Sequence, residues 1–330
     1  MDGKVMVTGG AGYIGSHAVL ALLDAGHEVV VVDNLVTGFA WAVDARATLV
    51  EMNVADPRIA DVLREHRVRA IMHFAGSVVV PESVNDPLKY YGNNTVATRA
   101  LIESAVAAGV PHFIFSSTAA TYGTPARVPV AEGDPTVPIN PYGTSKLMTE
   151  AMLRDVAAAH PINYAALRYF NVAGADPKGR SGQSTVGATH LIKIAVEAAI
   201  GKRDAVGIYG TDFPTRDGTG VRDYIHVSDL AAAHVAALQL LVERPGESHT
   251  LNCGYGRGFS VMEVLDAVDR VTNRTIERRL EPRRAGDPAE LIADNRAILA
   301  ALPWRPQHDD LDGIVGDALA WERTLAERQA

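Results

Sequence analysis

Residues 1–15 read MDGKVMVTGGAGYIG, a short apolar run that breaks into glycines at 9, 10, 12 and 15 where a helical pattern begins. A strand that turns into a helix through closely spaced glycines is the opening of a dinucleotide-binding βαβ unit. Gly10, Gly12 and Gly15 fit the G-x-G-x-x-G spacing. In that pattern the first glycine permits the bend, the second lets backbone approach a diphosphate, and the third lets helix and strand pack closely. The predicted helix, residues 13–25, aims unpaired N–H groups and the positive end of its dipole at the same spot.

The next run, HEVVVVD (His27 to Asp33), is the continuous β-branched stretch of a strand buried on both faces. It ends in a carboxylate placed to accept from a ribose diol. Asp33 would repel a 2′-phosphate, and no arginine or lysine follows before Arg46, so the pattern favours NAD over NADP. Further strand-like runs at 4–8, 48–52, 70–74, 112–117 and 164–168 alternate with helical patterns, including long ones at 87–108 and 142–159. The expected fold is α/β: a Rossmann-type doubly wound parallel sheet, with a smaller mixed α/β substrate domain. Residues 1–172 are assigned to the cofactor domain, with a returning segment at about 223–242, and residues 173–330 mainly to the substrate.

The chain carries 31 Lys+Arg against 39 Asp+Glu, a formal charge of −8, which disfavours nucleic acid and anionic membranes as partners. Cys253 is the one cysteine, so no intrachain disulfide forms; it reads as a small buried hydrophobe. No apolar stretch is long enough to span a membrane, and no leader pattern opens the sequence, so a cytoplasmic location is expected.

Tyr142 and Lys146, in PYGTSK, sit four apart at a helix start and share one face. A phenol titrates near 10 and serves as a general base only where a cation stabilises phenolate, which Lys146 and an oxidised nicotinamide ring supply. Ser116, Ser117 and Thr118 end a central strand, where a second hydrogen-bonding catalytic group belongs.

Matching blocks then run almost end to end: VTGGAGYIGSH, VVDNL, HFAG, PESVNDPLKYYGNN, FIFSSTAATYG, PYGTSK, LRYFNVAGA, GTDFPTRDGTGVRDYIHVSDL and RRAGDP. Through them the chain resembles the extended short-chain dehydrogenase/reductase superfamily and, within it, the UDP-glucose (UDP-galactose) 4-epimerase family. The resemblance implies NAD contacts from Gly9, Gly12, Tyr13, Ile14, Asp33, Asn34, Asn53, Val54, Phe74, Ala75, Gly76, Asn93, Ser116, Tyr142, Lys146 and Tyr169. It implies UDP-sugar contacts from Thr118, Asn171, His190, Leu191, Tyr209, Arg222, Arg284 and Asp287. Catalysis would fall to Tyr142, Lys146 and Thr118. No metal is implied, and a homodimer is. The implied reaction is inversion at C4 through a 4-keto sugar, with NAD retained between turnovers. His226 reads as structural.

Some positions depart from the family pattern. Asn53 replaces a common aspartate, Val78 stands where some relatives place lysine, Lys193 where proline is frequent, and Leu291 lies near the position that limits bulk at sugar C2. Alternative readings are a UDP-GlcNAc, UDP-glucuronate or UDP-pentose 4-epimerase and, further off, a 4,6-dehydratase or a non-catalytic NAD-binding protein. Ala119, Ala120 and Thr121 supply no carboxyl group for elimination, which counts against the dehydratase.

Overall fold

In β1 (Lys4–Thr8) Val5 and Val7 face one side and Met6 the other, and in β2 (Val29–Asp33) Val29 and Val31 oppose Val32. Strands apolar on both faces must be covered on both. The computed structural model, which describes residues 2–284 and 286–329, shows that cover. After α1 (Tyr13–Asp24), the alternation continues through β3 (Thr48–Glu51), α2 (Ile59–Glu65), β4 (Val68–His73), α3 (Val80–Asn85), α4 (Pro87–Tyr90), α5 (Ala97–Ala108), β5 (His112–Thr118), α6 (Pro141–Ala159) and β6 (Asn163–Tyr169). Beyond it come β7 (Asn171–Ala173), α7 (Leu191–Ala199), β8 (Val206–Tyr209), β9 (Val221–His226), α8 (Val227–Glu243) and β10 (His249–Cys253). The remainder is β11 (Gly258–Ser260), α9 (Val261–Thr272), β12 (Arg278–Glu281), β13 (Glu290–Leu291), α10 (Arg296–Ala301) and α11 (Leu311–Gln329).

The main sheet has seven strands in the order β10-β6-β5-β4-β1-β2-β3, every neighbouring pair parallel. This is the expected doubly wound α/β fold. Val5, Val31, Ile114 and Leu167 pack with Leu230 and Leu238 of α8 on one face; Met6, Ile71, Phe113 and Phe115 pack with Leu63, Leu101 and Leu153 of α2, α5 and α6 on the other. The chain passes from β1 to β2 on one side, while β4 takes the other side of β1. A crevice opens where the order reverses, at the carboxyl ends of the strands.

Two segments differ from the sequence reading. The helix expected over 87–108 is interrupted by a π-helical turn at Tyr91–Val96, which turns Asn94 inward. The returning segment is also longer than 223–242. Helix α8 does pack against α1, but the chain then enters the sheet as β10, with Leu251 beside Leu167, whereas Asp223 and Tyr224 lie on β9 in the smaller sheet with β11, β13 and β7. β10 is five residues long and starts with His249 and Thr250, too short and polar to announce itself by apolar pattern. A separate core of Ile192, Val206, Tyr224, Val264, Leu311 and Val315 holds α7, α9 and α11 together.

Candidate active site

The glycine turn joins β1 to α1 with its parts redistributed from the expected pattern. Gly9, not Gly10, makes the bend, at φ +72°, and Gly10 instead packs against Val31. Gly15 brings α1 down on the turn itself: a Cβ there would lie 2.1 Å from the Gly9 carbonyl oxygen. Gly12 stands at the N-cap of α1, and no side chain among the described residues caps that helix, so its first N–H groups are left for a ligand. Asp33 is buried at the end of β2; Oδ2 accepts from Ala11 N–H at 2.9 Å and Oδ1 from Leu35 N–H at 2.8 Å. A carboxylate offers about four lone-pair sites, so acceptors remain for a ribose diol. Bare helix N-terminus, close-packed glycines and carboxylate fit a dinucleotide.

Around this turn the other residues named for the cofactor spread along the strand ends. Asn34 and Asn53 are exposed, their carbonyls accepting from Val36 and Ala55 N–H, and Val54 is buried beside them. Tyr13 donates its hydroxyl to Gly174 O at 2.7 Å, tying the start of α1, which Ile14 continues, to the loop after β7. Phe74 packs on His234, ring centroids 4.8 Å apart, and leads through Ala75 to Gly76. Asn93 reaches Ser77 Oγ at 3.0 Å.

On α6, Asn140 caps the helix by accepting from Gly143 N–H at 2.8 Å and Pro141 occupies the first turn, so Tyr142 enters at the crevice. Tyr142, Lys146, Thr118, Ser116 and Tyr169 are all buried and converge there. The Tyr142 phenol is held protonated by burial and by the neighbouring Tyr169, and the nearby Thr118 hydroxyl pulls the other way. Burial pushes Lys146 down to about 8. Its ammonium donates to Ser116 O at 3.1 Å and lies 4.9 Å from the Phe115 ring centroid. Ser116 Oγ donates to Tyr169 Oη at 2.9 Å.

The residues named for the UDP half gather on the smaller sheet and its loops. Arg222, on β9, is mostly buried; burial and the nearby Arg284 lower its affinity for its proton, opposed by Asp287, whose carboxylate is 3.8 Å away. Arg284 lies over the Tyr209 ring, 3.7 Å from its centroid. Two guanidiniums and one partly exposed carboxylate leave a positive site suited to a diphosphate. Asn171 opens β7 and is in register with Tyr224 of β9. His190 and Leu191 begin α7, and His190 lines a small cavity of about 20 Å³ with Tyr13 and Gly174, so the two ligand sides adjoin.

Among the described residues, His226, His308 and Asp317 come together with ligating atoms within 4.8 Å of one another. Ser228 N–H donates to His226 Nδ1 at 3.0 Å, which leaves the ring proton on Nε2, facing Asp317 Oδ2 at 3.1 Å. Both nitrogens of the neutral ring are thereby used, in keeping with a structural His226.

Sequence reasoning missed Asn94, Glu150 and Arg168. Asn94 accepts from Ser77 N–H and donates to Ser145 Oγ at 3.0 Å, joining the loop after β4 to α6. Glu150 and Arg168 form a buried pair behind Lys146. For Glu150 the signal was the four-residue spacing from Tyr142 and Lys146, carried one step further; Arg168, on β6, had none in the local pattern.

Residues 5–254 match the profile of the NAD dependent epimerase/dehydratase family. The chain is 55% identical to a UDP-glucose 4-epimerase of Azospirillum brasilense over 325 residues, 98% of this chain and 93% of that one. Among solved structures it resembles a UDP-glucose-4-epimerase from Stenotrophomonas maltophila with bound NAD and formylated UDP-arabinopyranose, at a TM-score of 0.95 and 40% identity, covering 99% of this chain and 100% of that one. It also resembles the Bifidobacterium longum UDP-glucose 4-epimerase in complex with NAD+ and UDP, at a TM-score of 0.93 and 37% identity, covering 97% and 98%.

Proposed function

The chain belongs to the NAD dependent epimerase/dehydratase family, and we propose that it acts there as a UDP-glucose 4-epimerase, interconverting UDP-glucose and UDP-galactose. The observation that carries this reading is the buried meeting of Tyr142, Lys146 and Thr118 beside a glycine cradle fit for a dinucleotide. NAD held by these residues would supply the hydride acceptor and donor that inversion at C4 of the hexose requires.

The chain's own residues supply the rest. Tyr142 accepts the 4-hydroxyl proton and later gives it back, and the buried Thr118 hydroxyl would donate to the sugar oxygen beside it. Lys146, fixed on Ser116 O, puts a positive charge into a dry site where phenolate needs one. Gly9, Gly12, Tyr13, Ile14, Asp33, Asn34, Asn53, Val54, Phe74, Ala75, Gly76, Asn93, Ser116 and Tyr169 would hold the cofactor along the strand ends. Arg222 and Arg284 anchor the diphosphate, with Asn171, His190, Leu191, Tyr209 and Asp287 around the nucleoside. Anchoring the nucleotide while leaving the hexose few contacts lets the ring turn over its linkage.

The division into a cofactor domain over 1–172 and a substrate domain over 173–330 belongs to this reading, with the return extended to β10. A homodimer is supported by an apolar surface of Val84, Leu88, Val96 and Met148 along α3, α4, the π turn and α6. Cytoplasmic residence is supported by a single cysteine that is buried and free. Acceptance of an N-acetylated sugar is a second reading that turns on the room left at sugar C2 by Leu291, which packs with Ala119 and Phe170 and is in register with Arg222.

The test is to incubate the purified protein, without added cofactor, with UDP-galactose, UDP-GlcNAc or UDP-glucuronate and identify the products. UDP-galactose should yield UDP-glucose. Conversion of UDP-glucuronate alone, or a 4-keto-6-deoxy product, would overturn the assignment.

A further inference from the structure

Tyr142, Lys146 and Glu150 recur every four residues, so one stripe of α6 carries all three toward the sheet. Glu150 has no part in the chemistry above, yet it is buried with both oxygens engaged. Oε1 accepts from Ser117 Oγ at 2.5 Å and from Arg168 Nε at 2.9 Å, and Oε2 accepts from Arg168 Nη2 at 2.6 Å. Ser117 and Arg168 are register partners on β5 and β6, one residue before the pair Thr118 and Tyr169 at the crevice. Strand alternation turns Ser117 to the same face as Phe113 and Phe115, against α6, and Arg168 to the face of Tyr164 and Ala166.

Arg168 is itself pinned. Its Nη1 donates to Tyr122 Oη at 2.9 Å, its guanidinium lies 4.9 Å from that ring's centroid, and Tyr122 Oη donates to Asn252 Oδ1 on β10 at 2.7 Å. The network therefore joins α6 to three adjacent strands, β5, β6 and β10. Burying two ions costs about what their attraction returns, so such a pair is weak ground for stability. A bidentate, directional contact does fix register, which apolar packing of Leu153 on Phe115 does not. A helix that slid or rolled on the sheet would carry Tyr142 away from Thr118.

We propose that Glu150 and Arg168 are positioning residues that fix the register of α6 on β5 and β6 and so hold Tyr142 against Thr118. The proposal rests on the reading of Tyr142 as the catalytic base. Its test uses the full-length enzyme with bound NAD and compares three variants: Glu150→Leu/Arg168→Met, which removes both charges; Glu150→Asp, which keeps the ion pair on a shorter arm; and Tyr142→Phe.

Thermal midpoint, bound NAD, kcat, KM for UDP-galactose and the pH dependence of kcat are measured for each. The double variant should keep its NAD and its midpoint, hold KM within about twofold, lose about 10- to 100-fold in kcat, as a displacement near 1 Å costs, and show a displaced pH profile. Glu150→Asp should fall between it and the parent. Parental kcat and pH profile in the double variant overturn the proposal. So does loss of activity that only follows loss of NAD and of the thermal midpoint in both pair variants, since the pair is then structural. Parental turnover in Tyr142→Phe would defeat the base assignment instead, whatever the pair variants do.

Discussion

Tyr142, Lys146, Thr118, Ser116 and Tyr169 are buried on regular elements of the main sheet, whereas Tyr209, Arg284 and Asp287 stand exposed on a strand end and loops, with only Arg222 among the four charged or aromatic groups largely covered. One side of the crevice is dry and its groups are committed to neighbours. The other is open, its charges only partly paired, and subject to screening by salt. Proton transfer needs fixed geometry and a low-dielectric surround, while holding a diphosphate needs charge that a flexible ligand can reach. Under the proposed function, turnover belongs to the first region and affinity to the second.

The largest expected effect breaks the dry side. Tyr142→Phe should lower kcat by about 10²- to 10⁴-fold, the range of general acid–base groups, while UDP affinity measured by calorimetry stays near the parent's. Next, Arg222→Ala should weaken UDP binding and raise KM by about 10- to 150-fold, matching ~1.5–3 kcal/mol for charge-assisted hydrogen bonds, with kcat little changed. A large fall in kcat with KM unchanged would blur the division between the regions.

A pH series sharpens it. Burial brings Lys146 to about 8 in the fold, below the 10.5 of a solvent-exposed lysine. If the ammonium is the working form, kcat/KM should fall by about tenfold per pH unit above that point. Stability should move the opposite way. Between about 8 and 10.5 the unfolded chain binds more protons at this site than the native one, so the contribution of Lys146 to stability rises with pH across that window. Lys146→Met should remove both slopes, read by kinetics and by denaturant midpoints. The smallest effect belongs to the open side: Asp287→Asn loosens a partly exposed contact at 3.8 Å and should change UDP affinity by no more than about fivefold, or ~1 kcal/mol.

How much of this was legible in the sequence also differs between the regions. β1 and β2 announced themselves because Val5, Val7, Val29 and Val31 cover one face of the sheet and Met6 and Val32 the other. Tyr142 and Lys146 were legible from their spacing together with the glycine turn and the hydroxyls that end β5. Pattern could not show which glycine bends: Gly9 and Gly10 are adjacent and both closely packed, and only the left-handed φ of +72° singles out the first. The π turn escaped because its residues, YGNNTV, break no helical pattern; the inward turn of Asn94 depends on partners at Ser77 and Ser145, remote in the chain. β10 and Arg168 escaped for the same reason, since their meaning lies in neighbours supplied by the fold. The arginine side was visible only through the family resemblance, for Arg222 and Arg284 are separated by three strands and share no local pattern.

The most direct test follows one label. UDP-galactose carrying deuterium on C4, incubated with the purified protein and no added cofactor, should give UDP-glucose with the deuterium still on C4, now on the opposite face of the ring. Appearance of the label in solvent water, with unlabelled UDP-glucose as product, would contradict the account.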